Sequence, residues 1–418
     1  MKKSGLLLLV LFVLELMIPA AGQAIPAFVR KHGFNCNSCH AGYPKLNDFG
    51  QRFRDNGYQI PGQEGKESNV FHTPPPIAVR TSTGLSGYNT DKTTTSGFDM
   101  FGLDLLAAGA MHKNISFLFI YTPRVDEPSA DYTGPDNGRN PAQLGAFESG
   151  SVVFSNLAQG LLNLRIGRFE PAFHAISSKR SFYLMQPYEI YSFSTPASGF
   201  VFDDNQIGIE ATGHHRSGFK YGVGVVNGTG ASPDNNKFKD VYMNVSQTIG
   251  PGDGQTAGQR VGAFAYYGWQ PLRISGATSP TGEVEGTGNE PLYRVGGHAS
   301  LNWKTLNLQA LYMKGVDDKS FNSAAPTRNY EFDGGLAELD YAALMNNRLV
   351  ASVLYNWIST PSYDSDRQVK SYSGLVRYYF GDWTAVNLAL HAEYTHRETR
   401  ETNPLKENIY SLVVDFAF

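Results

Sequence analysis

The chain has 418 residues, a formal net charge of -3, 44 glycines, 23 tyrosines, 26 phenylalanines and two cysteines. So small a net charge suggests neither a nucleic-acid partner nor a strongly acidic surface. Glycine-rich, aromatic-rich and nearly cysteine-free is unusual for a soluble domain of this size, and it points to an exported β-barrel of the bacterial outer membrane.

The chain opens Met1-Lys2-Lys3-Ser4 and runs apolar from Leu6 to Ile18 with only Glu15 interrupting. Gly22-Gln23-Ala24 supplies the small residues a signal peptidase reads. Residues 1–24 are therefore expected to be a secretory signal peptide, with the mature chain starting near Ile25, because the apolar run is too short to span a membrane.

Both cysteines fall in Cys36-Asn37-Ser38-Cys39-His40, a C-x-x-C-H sequence of the kind that attaches a c-type haem. Two thiols three positions apart can each form a thioether to a porphyrin vinyl group, and His40 is then placed as an axial iron ligand. A disulfide here would close only a tiny loop. A thioredoxin-like pair would need a surrounding βαβ pattern, and a zinc site would need two further ligands.

After the motif, Pro44 suits a first helical position, Leu46, Phe49 and Phe53 share one face, and Gly57 suits the stop. This predicts a short helix whose apolar side packs on the haem edge. No methionine occurs between Ile25 and Asp99, so His/Met ligation cannot be completed inside the segment. The second axial position is left to His32, to His72, to a barrel residue, or open, with His32 the first candidate. A solvent-facing role for His32 is the competing reading. His72-Thr73-Pro74-Pro75-Pro76 predicts a stiff connector, so that residues 25–76 form one cytochrome segment plus linker. About fifty residues are too few to bury a haem without outside help.

Pro26-Ala27-Phe28, Arg30, the Cys36–His40 motif, Pro44, Leu46-Asn47, Phe49-Gly50, Phe53 and Asn56-Gly57-Tyr58 resemble the N-terminus of the fused monohaem cytochrome–porins. These are outer-membrane iron oxidases of iron-oxidising bacteria and their relatives. The resemblance implies one covalent haem c on Cys36 and Cys39 with His40 on the iron, followed directly by a barrel. It also implies extracellular Fe(II) or another redox donor outside, and a soluble cytochrome or similar carrier in the periplasm.

Residues 77–418 read as alternating segments near ten residues long, the signature of transmembrane barrel strands. Leu162, Leu164 and Ile166 oppose Asn163 and Arg165; Leu306, Leu308, Ala310 and Tyr312 oppose Asn307 and Gln309. Val386, Leu388, Leu390, Ala392 and Tyr394 oppose Asn387, His391, Glu393 and Thr395. The last segment sets Tyr410, Leu412, Val414, Phe416 and the terminal Phe418 against Ser411 and Asp415. The count is about sixteen strands, beginning near residues 77, 98, 115, 145, 161, 204, 218, 239, 259, 292, 305, 333, 348, 368, 384 and 408. The expected fold is thus all-β, an antiparallel barrel with a small α-helical haem segment lodged in its lumen. Both barrel ends then lie on the periplasmic side.

Arg165, Arg377, His391 and Glu393 are expected to line a hydrated lumen, and His214-His215 to form a surface pair at a turn. The connection from Pro171 to Gly199 is expected either to fold into the pore or to cap its outer mouth, and its Met185 is read as an iron ligand or, more plainly, as an apolar plug residue. Asp126, Glu127, Asp131 and Asp136 in another long loop are read as soluble loop residues or as an attraction for cationic iron. The combined expectation is electron transfer across the outer membrane through one haem, most simply inward from Fe(II). An outward conduit, or a diffusion porin with an accessory haem, are the alternatives.

Overall fold

A computed structural model describes residues 27–66, 77–123, 145–185, 188–198, 200–230, 232, 234–250, 259–271, 289–344, 348–381, 388–400 and 405–417. The leader, His72 and the triple proline, Asp126 to Asp136, Val386 and Phe418 lie outside the described residues.

The N-terminal segment carries α1 (Ala27–His32), α2 (Cys36–Cys39), a small pair β1 (His40–Gly42) and β2 (Lys45–Leu46), and α3 (Asp48–Asp55). α3 is capped by Asn47 and does not begin at Pro44. The Asn47 side chain accepts from the Gly50 N–H, which satisfies one of the helix's unpaired donors. Pro44 instead sits in the turn between β1 and β2. Gly57, at φ +69°, ends the helix in the left-handed region as expected.

The rest is a closed antiparallel barrel of sixteen strands. They are β3 (Ile77–Thr90), β4 (Thr94–His112), β5 (Ile115–Pro123), β6 (Gly145–Phe154), β7 (Asn163–Phe169), β8 (Gln206–His214), β9 (Phe219–Val226) and β10 (Asp240–Ile249). There follow β11 (Gln259–Pro271), β12 (Asn289–Trp303), β13 (Leu306–Asp317), β14 (Tyr330–Leu344), β15 (Leu349–Ser359), β16 (Val369–Tyr379), β17 (Leu388–Thr399) and β18 (Leu405–Ala417). β18 pairs with β3 to close the ring, so no edge is left unpaired. The strand starts fall within a few residues of the alternation reading. β4, β12, β14 and β18 begin earlier, because their outer ends continue past the apolar stretch into polar residues that still pair.

The side-chain period of two sorts the wall into two faces. Val223, Val225, Val241, Met243, Val353, Val376, Leu412 and Val414 point outward and stay exposed. On a closed barrel such a continuous apolar outer face is a surface for lipid. Both barrel termini lie at the end where β4–β5 and β12–β13 are joined by two-residue turns, the periplasmic end of a barrel of this type.

The inward face is not a hydrated lining. Arg165, Arg377, His391 and Glu393 are buried. Arg377 pairs with Asp415 at 2.8 Å and His391 with Glu393 at 3.0 Å. What covers them is the chain itself, from two directions. The connection from β7 to β8 enters the lumen: Tyr188 donates to Glu338 on β14 at 2.7 Å, and the Leu184 and Met185 amides donate to Glu393 on β17. Thr195 donates to Asp317 on β13, while Asn244 on β10 donates to the Ala172 carbonyl. These partners lie around much of the wall, so the loop crosses the pore. The N-terminal segment fills the other, short-turn half.

Candidate functional site

Contacts between the N-terminal segment and the wall run around the barrel. Arg377 Nη1 and the Tyr379 hydroxyl each donate to the Tyr43 carbonyl at 2.9 Å. Lys45 Nζ donates to Glu338 at 2.7 Å and also to Asp340. Further round the wall, on β11, Arg260 donates to Asp48 and to Gln51. Asp55 receives His214 Nε2 at 2.9 Å and Lys220 Nζ at 3.0 Å, with Arg54 at 2.8 Å. Gln59 donates to Ser155 Oγ at 2.9 Å. His214 is therefore not half of a surface pair; only His215 is exposed, hydrogen-bonded to Ser217.

Within this frame α2 carries the two thiols and β1 begins at His40. Cys36 is buried and packs into the same apolar core as Phe169 and Phe173. Burial, with the neighbouring Cys36, pushes the Cys39 thiol up to about 12. A thiol so raised is a poor nucleophile, which speaks against a thioredoxin-like pair. α3 packs tightly on the motif: a methyl group at Gly50 would stand 2.1 Å from the Cys39 carbonyl oxygen.

His40 Nδ1 lies 3.0 Å from the Pro44 carbonyl. That acceptor holds the proton on Nδ1 and leaves Nε2 as a lone-pair donor, the arrangement metal-binding imidazoles use. Burial pushes the imidazole down to about 4, outweighing the backbone hydrogen bonds that raise it, so it is neutral at ordinary pH. The Tyr43 ring lies against it at 5.0 Å between centroids.

An aromatic cluster stands beside the motif. Phe28 stacks on Tyr58 at 5.3 Å, Phe53 meets Phe28 edge-on at 5.0 Å, and Phe49 meets Phe34 edge-on at 5.9 Å. His32 is part of this cluster, stacked on Phe34 at 5.3 Å. Two thiols and a tautomer-fixed imidazole next to flat apolar side chains fit a covalently attached porphyrin. No group of three or more His, Cys, Asp or Glu able to hold a separate metal ion occurs among the described residues. Met185 is held by its amide to Glu393, consistent with a plug residue.

A polar cavity of about 50 Å³, lined in part by Lys45, Asp48, Arg260 and His298, lies between these contacts. The larger recess, about 620 Å³, lies away from this chemistry, beside outward-facing Leu339, Val353, Val376 and Tyr394. Sequence reasoning found the motif but missed Lys45, Asp48 and Asp55 as docking residues; charged side chains on a short strand and a short amphipathic helix carry no sign of which distant carboxylate or cation they meet.

No family model and no curated protein matches the chain. Solved structures do. The trimer form of OmpT, an outer membrane protein of Vibrio cholerae, superposes with a TM-score of 0.55 at 10% identity, covering 82% of this chain and 99% of that one. An anion-selective porin from Comamonas acidovorans gives 0.54 at 12% identity, covering 82% and 99%. OprB of Pseudomonas putida gives 0.54 at 11% identity, covering 84% and 95%. At these identities the likeness is one of fold: the chain has the closed sixteen-strand barrel fold of outer-membrane porins.

Proposed function

We propose that this protein is an outer-membrane electron conduit in which residues 27–66 carry a single haem c inside a porin-type barrel. Cys36 and Cys39 would hold it covalently and His40 would ligate its iron, with His32 the first candidate for a second ligand. Haem bound there supplies one-electron redox chemistry. The chain's own residues do the rest. The Pro44 carbonyl orients His40, the Phe28–Tyr58 cluster excludes water, and the Tyr43, Lys45 and Asp55 contacts hold the segment across the pore.

The observation that carries the reading is the combination of the C-x-x-C-H geometry with a lumen filled by chain. A segment clamped to opposite walls suits passage of electrons better than diffusion of solutes. Following the resemblance of residues 26–58, the donor is extracellular Fe(II) and the acceptor a soluble periplasmic carrier. The porin fold favours a second reading, a diffusion channel with an accessory haem, and planar-bilayer conductance separates the two.

The test is optical. The purified, oxidised protein is mixed with Fe(II) without oxygen, and the haem bands are followed. Prompt reduction, absent in His40→Ala and in the variant lacking both cysteines, supports the conduit. Reduction by dithionite alone removes Fe(II) as donor. Absence of any covalent haem removes the conduit itself.

A further inference from the structure

The two mouths of the barrel differ in charge. At the short-turn mouth the exposed ionic side chains among the described residues are cations: Arg52 on α3, Lys66 after it, and Lys113, Arg216, Lys304 and Arg348 in the β4–β5, β8–β9, β12–β13 and β14–β15 turns. No described carboxylate at that mouth is exposed. Asp48 is held between Arg260 and Arg52, and Glu64 accepts from Asn56 Nδ2 and the Gly62 N–H. The opposite mouth mixes signs, as with Asp91 beside Lys92 and Asp234 paired with Lys239. The chain as a whole is slightly acidic, so its composition does not account for a single-sign face.

Gly65 sits against Asn114 and Lys113, and Arg52 rises from the helix packed on the Cys39 carbonyl. The cationic surface therefore runs from the turns onto the segment that bears the motif. Like charges held together repel one another, and a face of one sign raises the local concentration of a partner of the other. We infer that this mouth is the docking surface for a soluble electron carrier with an acidic face. This rests on the conduit reading for the partner's role, but the surface and its charge do not depend on the haem. Lys304 differs from the rest. Its ammonium lies over the outward-facing Trp303 ring at 5.0 Å, toward the membrane edge, where a phospholipid headgroup is the nearer anion.

The experiment uses the full chain in nanodiscs, with cytochrome b5 as the acidic probe and mitochondrial cytochrome c as a basic probe of similar size. The acidic probe is expected to bind at low salt and to weaken about tenfold by 0.2 M salt. Combined charge reversal, Arg52→Glu, Lys66→Glu, Lys113→Glu and Arg216→Glu, is expected to abolish that binding and create affinity for the basic probe. Lys304→Glu is expected to leave both unchanged. Barrel integrity is checked by mobility of the unheated protein on gels. Equal binding of both probes, or no effect of the reversal, overturns the inference. So does a reversal that alters only the preference for anionic over zwitterionic nanodisc lipid, which assigns the cations to headgroups. The same binding in the cysteine-free protein separates this surface from the haem: loss of haem with retained binding sinks the conduit and spares the docking face.

Discussion

Lys45 and Glu338 stand 293 positions apart in the chain, yet the Lys45 ammonium donates to the Glu338 carboxylate at 2.7 Å. Both are buried, Asp340 is the ammonium's second partner, and the Tyr188 hydroxyl takes the other Glu338 oxygen. One carboxylate on β14 thus ties together the haem-motif segment, the wall and the loop that crosses the pore.

Lys45→Met would leave two carboxylates buried without their cation. Removing one partner of a buried ion pair costs about 3–5 kcal/mol, enough to release the segment while the barrel stays closed. Protease cleavage within residues 27–66 of the intact barrel is the readout. The triple variant Lys45→Met, Glu338→Gln, Asp340→Asn is expected to recover protection, because no unpaired charge remains.

Tyr379→Phe removes one of two donors to the Tyr43 carbonyl and leaves Arg377 in place. The expected loss is about 1 kcal/mol, roughly fivefold in the opening equilibrium of the His40 loop. Hydrogen exchange of the amides around Tyr43 and Lys45 measures it, with no change expected in the barrel strands.

Gly50→Ala puts a methyl group onto the Cys39 carbonyl, a backbone atom that cannot swing aside. α3 must shift from α2, at a cost of about 1–3 kcal/mol. Covalent haem per folded barrel, read by haem staining, is expected to fall well below the unmodified chain, whereas Gly62→Ala, in open space, is expected to leave it unaltered apart from the strain of its positive φ.

How much of this was legible in the sequence differs sharply between the parts. Strand existence was legible because one face of each strand meets lipid: Val241 and Met243 alternate with Tyr242 and Asn244 whatever fills the pore. The motif was legible because three residues at fixed spacing carry its chemistry locally. The docking was not. Arg377 and Glu393 alternate inward as lumen residues do in an open channel, and only the buried neighbours from distant segments change their environment. Pro44 was misread because proline suits both a first helical turn and a tight turn, and the Asn47 cap won by satisfying a helix donor.

The acid limit of docking follows from Asp55. Burial alone would raise its carboxyl, but Arg54, Lys220 and His214 outweigh this and hold it well below the usual carboxylate range. Glu170, facing Arg180 and Arg54, is likewise lowered against its burial. A depressed folded pKa contributes stability above the unfolded value, about 3.9 for Asp, and loses it as pH falls toward the folded value. The Asp55 contribution to protease protection of residues 27–66 is therefore expected to be complete at neutral pH and to be lost only as pH falls below about pH 4. In Asp55→Asn the protection is weaker at neutral pH and this acid step is smaller.

On the proposed function, a haem-bearing segment inside the barrel is expected to pass electrons while the barrel passes little else. The direct measurement places the protein in sealed liposomes that enclose a redox dye too large to leak, with Fe(II) added outside under anaerobic conditions and solute efflux followed in parallel. Reduction of the enclosed dye without efflux, abolished by His40→Ala, is the predicted result. Free efflux of small solutes with no reduction of the dye would contradict the account and leave a diffusion porin.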